Sequence, residues 1–332
     1  MEGYLGVDVG SVSTNVVVID ELGEVMASLY LRTLGQPIRA VKEGLKVIRE
    51  TLPGDFTIKG VGTTGSARAL TGVLVGADVV KNEITAHAVA TSRVIPGVQT
   101  ILEIGGQDSK IIILRDGVVT DFAMNTVCAA GTGSFLDQQA SRLGIPIEDF
   151  GTYALKGKTP VRIAGRCTVF AESDMIHKQQ MGHNLEDVIA GLCQALVRNY
   201  LNNVGKGKEI LSPVAFQGGV AANEGIKAAF EEALGQPVVV PRHFNVMGAI
   251  GAALLAHQAI DRQGGTTHFK GFDISDIDYR STSFECKGCS NLCEIINIKA
   301  GQKVIARWGS RCGKWEDLSL EDEGASLRHH SE

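Results

Sequence analysis

The chain has no hydrophobic run long enough to cross a membrane. Its longest apolar stretch, residues 246–260, carries His257 and falls short of the ~20 apolar residues that a spanning helix needs. Positive charge is not in excess either. Lys and Arg number 32 against 37 Asp and Glu, a net charge of −5, so no nucleic-acid partner is expected. Residues Met1 to Asp8 enter a strand pattern directly, without the features of a signal peptide, so a cytoplasmic protein without a membrane partner is expected. In that compartment the seven cysteines read as free thiols with metal or redox roles, not as disulfides. Proline is scarce, 8 residues against 40 glycines. That balance points to tight turns and to close approaches of backbone to a ligand. With 44% hydrophobic and 21% charged residues in 332, the composition is that of an α/β protein of two or three domains.

Two cysteines stand out by their surroundings. Cys128 lies in Asn125-Thr-Val-Cys-Ala-Ala-Gly-Thr-Gly-Ser134, and Cys167 lies in Ala164-Gly-Arg-Cys-Thr-Val-Phe-Ala-Glu172. Each turn is rich in small residues and opens a helical pattern. A thiolate there meets unpaired N–H groups and the positive end of a helix dipole, which lowers its pKa and suits it to metal or redox chemistry. Two thiolates are too few for an iron–sulfur cluster, which normally takes four, but a symmetric dimer would supply four. Cys193 differs: it falls on the apolar face of a helical pattern and reads as core.

A repeat organises the rest. Residues 4–20 read as strand, tight turn, strand, and residues 24–32 as a third strand. The same plan returns at 100–115 and 118–124. Asp8 aligns with Glu103, Gly10 with Gly105, Ser13 with Asp108 and Thr14 with Ser109. Helical patterns over 37–51, 83–94, 133–143, 169–181, 185–204, 225–234 and 246–260 fill the gaps, which predicts two similar α/β halves facing each other. Opposed turns of this kind clamp a polyphosphate through N–H groups and hydroxyls. Gly10, Ser11, Ser13 and Thr14 would serve in one loop and Gly105, Gly106 and Gln107 in the other, with Asp8 and Asp108 holding Mg²⁺ directly or through water. A third glycine site, Gly218 and Gly219 before Asn223, lets backbone approach a flat ring and offers an amide to a ribose or base.

These three sites in this order resemble the acetate and sugar kinase/Hsp70/actin superfamily. A closer resemblance is to the ATP-dependent activators of 2-hydroxyacyl-CoA dehydratases and their benzoyl-CoA reductase relatives. It is carried by Gly6-Val-Asp-Val-Gly-Ser11, Gly62-Thr-Thr-Gly65, Glu103-Ile-Gly-Gly-Gln-Asp108, Cys128-Ala-Ala-Gly-Thr-Gly-Ser-Phe-Leu-Asp137, Cys167-Thr-Val-Phe-Ala-Glu-Ser173, Gln217-Gly-Gly-Val-Ala221 and Gly248-Ala-Ile-Gly-Ala-Ala-Leu254. The resemblance implies two ribonuclease H-like, actin-like ATPase halves, 1–97 (with 246–260 packing back on it) and 98–245. It also implies ATP and Mg²⁺, with Asp8, Asp108 and Glu103 as catalytic residues. Cys128 and Cys167 would share one [4Fe–4S] cluster across a homodimer. A ferredoxin or flavodoxin would reduce that cluster. The partner would be an iron–sulfur dehydratase, a benzoyl-CoA reductase or a double-cubane cluster protein. Two departures are visible: Glu103 stands where relatives carry Asp, and Val127 where many carry Lys. The alternative is a small-molecule kinase acting on an amino sugar, which has no use for the two cysteine turns. A third reading is an ATP-gated scaffold or sensor without redox activity.

Beyond residue 260 the composition changes. A polar, acidic linker is expected over 261–283, a Cys-rich metal module over 284–315 and a disordered tail over 316–332. Cys286, Cys289, Cys293 and Cys312 form a complete tetrahedral thiolate set for Zn²⁺ or a second iron–sulfur cluster. They flank a predicted hairpin of 294–299 with 303–308, turning at Ala300 and Gly301, and the module is expected to fold independently of the ATPase.

Overall fold

The computed structural model describes residues 1–125 and 127–315; the expected tail over 316–332 lies outside the described residues. The fold is α/β, with two five-stranded sheets and a third, small sheet. The first half runs β1 (Glu2–Val9), β2 (Ser13–Ile19), β3 (Val25–Arg32), α1 (Pro37–Thr51), β4 (Thr57–Thr64), α2 (Arg68–Val75), β5 (Val79–Val80) and α3 (Glu83–Val94). The second runs β6 (Thr100–Ile104), β7 (Ser109–Arg115), β8 (Val118–Asn125), α4 (Gly133–Leu143), α5 (Phe150–Lys156), α6 (Thr168–Gln180), α7 (Leu185–Asn203), β9 (Val214–Gln217), α8 (Glu224–Leu234) and β10 (Val238–Val239). Then follow α9 (Met247–Gln263), β11 (Tyr279–Glu285), β12 (Glu294–Ala300) and β13 (Lys303–Trp308).

The two large sheets share one plan. Their strand orders are β3-β2-β1-β4-β5 and β10-β9-β6-β7-β8. In each, the first strand pairs antiparallel with the second and parallel with a later one (β4 or β9), which pairs with a two-residue edge strand. The repeat read from the sequence is therefore a repeat of topology. Helices α2 and α5 are absent from the sequence reading, being only eight and seven residues long, too short for a 3.6-residue period to declare itself. No helix among the described residues is long and apolar enough to cross a membrane.

Helix α9 returns to the first half. Tyr4, Val17 and Ile19 pack with its Met247, Ala249, Ile250 and Ala253, while α1 covers the opposite face through Val41, Leu45 and Ile48. The α9 contact is backbone on backbone. A Cβ on Gly6 would lie 1.9 Å from the Ala249 carbonyl oxygen, and one on Gly62 would lie 2.0 Å from that of Ala252. In the second half α7 is buried along its length and places Cys193 in the core.

The segment after α9 is fastened, in contrast to the expected free linker. The Asp78 carboxylate accepts hydrogen bonds from the Thr267 hydroxyl at 2.7 Å and the His268 N–H at 2.8 Å. Phe269, Phe272 and Ile274 join the core beside α1. The expected β12–β13 hairpin forms and gains β11 as a third strand. Ile298 and Ala306 of this sheet bury Leu74 of α2, with Ile38, Leu70 and Val73 alongside. The Cys-rich module thus shares buried apolar surface with the first half and does not stand apart from it in the fold. Its alternating apolar residues needed a partner surface, which local sequence does not reveal.

The close approach of α9 generates a stability prediction. Gly6→Ala should destabilise the protein by at least about 2 kcal/mol, because the added methyl forces α9 off the sheet. Gly54→Ala, with nothing within 4 Å of its Cβ position, should change stability little. Denaturant midpoints of the two variants check this, and equal midpoints would contradict it.

Candidate functional site

The turns after β1 and β6 face each other across a cleft between the halves. The two turns close identically: Gly10 N–H donates to the Ser13 carbonyl at 2.8 Å, and Gly105 N–H to the Asp108 carbonyl at 3.0 Å. Asp8, Gly10, Ser11, Ser13, Glu103, Gly105, Gly106, Gln107, Asp108, Gly218 and Gly219 line the cleft, whose central cavity is about 100 Å³. Thr14 does not. Strand alternation turns Ser13 and Asn15 inward and Thr14 away, and its hydroxyl meets that of Thr33 at 3.0 Å in the core.

Acidic groups crowd the cleft, and Lys110 of β7 binds them together. Its Nζ lies 2.9 Å from Glu103, 2.9 Å from Asp108 and 3.5 Å from Glu83, with the lysine side chain only 3% exposed. These carboxylates hold the Lys110 ammonium charged, well above its ordinary range, although burial alone would push it down. Burial, with Glu83 nearby, raises the Asp8 carboxyl to about 7. Burial raises Glu103 to about 7 as well, against the attraction of Lys110. Glu83 opens α3, where Asn82 caps the helix by accepting the Thr85 N–H at 2.9 Å. One turn on, His87 is buried and pushed down to about 3, first by burial and then by Lys110. It is therefore neutral, and its Nδ1 lies 2.8 Å from the Gln217 amide nitrogen, while Gln217 accepts the Thr91 hydroxyl at 2.8 Å.

The cleft continues past Gly219 into a chamber of about 230 Å³ lined by Val12, Tyr30, Leu136, Val220 and Asn223 among others. The Asn223 side-chain oxygen caps α8 by accepting the Ile226 N–H at 3.0 Å. Its Nδ2 is buried without a partner, a donor left for a ligand.

Cys128 and Cys167 converge outside this cleft. Both are partly buried, and Cys128 Sγ stands 3.9 Å from the Arg166 carbonyl oxygen. Cys167 is the N-cap residue of α6, and Cys128 precedes a single 3₁₀ turn that leads into α4. Asn199 of α7 packs between the turns: it donates to the Gly165 carbonyl of the Cys167 turn, and its side-chain oxygen, which accepts from Asn203 at 2.9 Å, lies 2.8 Å from where a Cβ on Gly131 of the Cys128 turn would stand. Exposed apolar side chains surround the thiols: Val127 at 94%, Val169 at 67% and Phe170 at 66%.

One helix joins the cleft to the thiols. Gly133 and Ser134, the first residues of α4, donate their N–H groups to the Gly105 and Gly106 carbonyls at 2.9 and 2.8 Å. From the other side Asn125, at the end of β8, accepts the Cys128 N–H at 3.0 Å and donates to its carbonyl at 2.8 Å. The four tail cysteines lie apart, in the loops at one end of the third sheet.

The sequence reading missed Lys110, Glu83, His87 and Asn199. Each left a trace. Lys110 is a charge at the head of the apolar run from Ile111 to Leu114, and Asn199 is a polar residue on the buried face of α7. Glu83 and His87 are four apart behind the cap Asn82, the spacing that shares a helix face.

Comparison with known proteins accounts for this geometry. The model of the BadF/BadG/BcrA/BcrD ATPase family matches residues 5–256. The (R)-2-hydroxyglutaryl-CoA dehydratase activating ATPase of Acidaminococcus fermentans is 36% identical over 264 residues, covering 76% of this chain and 96% of that protein. The 2-hydroxyisocaproyl-CoA dehydratase activator of Clostridioides difficile is 32% identical over 257 residues, covering 76% and 94%. The solved structure of the activator of the 2-hydroxyisocaproyl-CoA dehydratase from Clostridium difficile with bound ADPNP superposes with a TM-score of 0.71 at 30% identity, covering 79% of this chain and 97% of that one. With both halves, both glycine turns and both cysteine turns inside the matched region, the chain belongs to the BadF/BadG/BcrA/BcrD ATPase family.

Proposed function

We propose that this protein is an ATP-driven activator that passes low-potential electrons to a partner iron–sulfur enzyme. The partner classes are a 2-hydroxyacyl-CoA dehydratase, a benzoyl-CoA reductase or a double-cubane cluster protein, and the donor is a ferredoxin or flavodoxin. The halves that close on the nucleotide are 1–97 with 246–260, and 98–245. One observation carries the reading: the N-terminus of α4 clasps the second glycine turn while the segment leading into α4 holds Cys128. A movement of Gly105 and Gly106 toward a phosphate therefore pulls on a thiol.

ATP and Mg²⁺ fit the cleft. Asp8 and Asp108 would carry the Mg²⁺, the N–H groups of Ser11 and Val12 and of Gly106 and Gln107, in turns closed by Gly10 and Gly105, would cradle the phosphates, and the unpartnered Asn223 Nδ2 would meet the nucleoside. Lys110 would hold Glu103 and Asp108 in place and neutralise phosphate charge as the terminal bond breaks. The thiols fit a shared [4Fe–4S] cluster. Cys128 and Cys167 lie half-buried near one another at helix starts. The apolar Val127, Val169 and Phe170 around them suit burial against the same surface of a second subunit. Such a cluster supplies one-electron chemistry at low potential. ATP drives the transfer only if its bound states differ in affinity for the partner or in how the cysteine turns are held. Nothing in the cleft favours phosphoryl transfer to a small molecule over this reading.

Three outcomes test it. Asp108→Asn should lower ATP hydrolysis by about a hundredfold or more, since charge stabilisation dominates phosphoryl transfer, while leaving the visible absorption of anaerobically purified protein intact. Normal turnover in that variant would refute the Mg²⁺ role. Cys128→Ser should abolish that absorption and the partner's activation, yet leave ATP affinity within about threefold; full iron content at the dimer site would end the shared-cluster reading. The third outcome concerns pH. An Asp8 carboxyl raised to about 7 carries a proton below that pH, and Mg²⁺ must displace it. Affinity for Mg²⁺-ATP should thus weaken as pH falls from 8 to 6, approaching about tenfold per unit below 7, and the slope should flatten in Asp8→Asn. Isothermal titration across that range measures it.

A further inference from the structure

The family match ends at residue 256, so nothing in it accounts for the four cysteines of the third sheet. The geometry points to a second metal site there: a tetrathiolate centre formed by Cys286, Cys289, Cys293 and Cys312. It stands independently of the activator reading.

Topology brings the loops that carry the four cysteines to one end of the sheet. Glu285 at the end of β11 pairs with Glu294 at the start of β12, and Ile296 pairs with Trp308 at the end of β13. All three strand ends therefore lie at the same end of the sheet. Cys286 leaves β11 there, Cys293 enters β12 there, and Cys312 follows β13 by four residues. The ladder continues one step past the strands, with Cys286 N–H donating to the Cys293 carbonyl at 2.8 Å. That bond sets Cys286 and Cys293 abreast and closes a loop with Cys289 at its middle. The second loop is folded back on the first. The Trp315 indole N–H donates to Cys286 Sγ at 3.2 Å, and its ring meets Phe284 edge to face at 5.0 Å.

Apolar burial does not explain why the loops take this shape. No residue of 286–294 or 309–315 is buried. Yet the backbone takes one strained conformation, and one that only glycine can take, to bring the loops together. Leu292 has a φ of 44°, rare for a residue with a Cβ. Gly309 has a φ of 106°, and a Cβ there would lie 2.3 Å from the Glu294 carbonyl oxygen. Ordering such loops without a core requires another source of free energy, and a metal bound by four thiolates is one. Among the described residues no three cysteine, histidine or acidic side chains stand in ligating geometry. The metal must therefore draw the exposed Cys289 and Cys312 toward Cys286 and Cys293, a movement that loops without a buried residue permit.

Four thiolates in tetrahedral array take either one Zn²⁺ or an iron–sulfur cluster, and the test separates the two. The full-length Cys128→Ser/Cys167→Ser protein, stripped of metal anaerobically, is titrated with Zn²⁺ alone and, in parallel, reconstituted with Fe²⁺ and sulfide. The expected result is one Zn²⁺ or one cluster per chain retained through desalting, with the four tail thiols passing from reactive to protected. Adding Cys289→Ser or Cys312→Ser should weaken retention at least tenfold, whereas Lys287→Ala should not. Retention of Zn²⁺ alone makes the site structural, and a stable cluster makes it a redox centre; both uphold the site. Failure to retain either metal with all four thiols still reactive overturns it, as does retention unchanged by both cysteine substitutions.

Discussion

A cleft that gathers Asp8, Glu83, Glu103 and Asp108 between two sheets would repel itself open without a cation, and Lys110 supplies one from within the wall. Its ammonium lies within hydrogen-bond distance of Glu103 and Asp108 and near Glu83. Taking a lysine out of water is expensive, and only close partners make it tolerable. Truncating Lys110 would strand carboxylates that burial already pushes toward protonation. The charge pattern also orders the cleft. Lys110 holds Glu103 and Asp108 at the same 2.9 Å, but Glu103 is buried in the wall while Asp108 stays partly exposed toward the cleft.

The second organising feature is mechanical. The glycine turn after β6, the start of α4 and the Cys128 turn are consecutive links of backbone hydrogen bonds, with Asn125 as a cross-tie to Cys128 and Asn199 holding the neighbouring Cys167 turn. Packed elements of this kind move as units. The second glycine turn thus has a short physical route to the Cys128 turn, through Gly133 and Ser134, without passing through the core of either half.

The third sheet is built onto the first half by apolar contact. Leu74 of α2 is the common residue, buried by Ile298 and Ala306. Helix α2 begins just after Gly65, where the chain closes on the first glycine turn through the Ala67 N–H bond to the Val9 carbonyl at 3.0 Å. The Cys-rich sheet therefore rests on the helix that follows that turn, and Asp78 pins the connecting segment.

Much of this was legible in the residues. The strand-turn-strand repeat, the paired acidic positions, the Gly218–Gly219 approach and the two cysteine turns are local patterns, and each depends on a few neighbouring residues with special backbone or side-chain chemistry. The alignment of Gly10 with Gly105 and Ser13 with Asp108 is realised as matching hydrogen bonds because turn geometry is set within four residues. Tertiary structure alone decided which side chains meet across the cleft. Lys110 comes from β7 and Glu83 and His87 from α3, and no spacing in the sequence relates the strand to the helix. It also decided that Thr14 faces the core, that Asn199 packs between two turns, and that the acidic stretch after α9 is anchored and not free. These are long-range contacts, and their cost or gain depends on burial and on the charge of partners distant in sequence. Local sequence determined the loops and their chemistry; the packing of the two sheets and of α3 against them determined which of those residues act together, because partners such as Lys110 and Glu83, or His87 and Gln217, are brought into contact only by burial between elements distant in sequence.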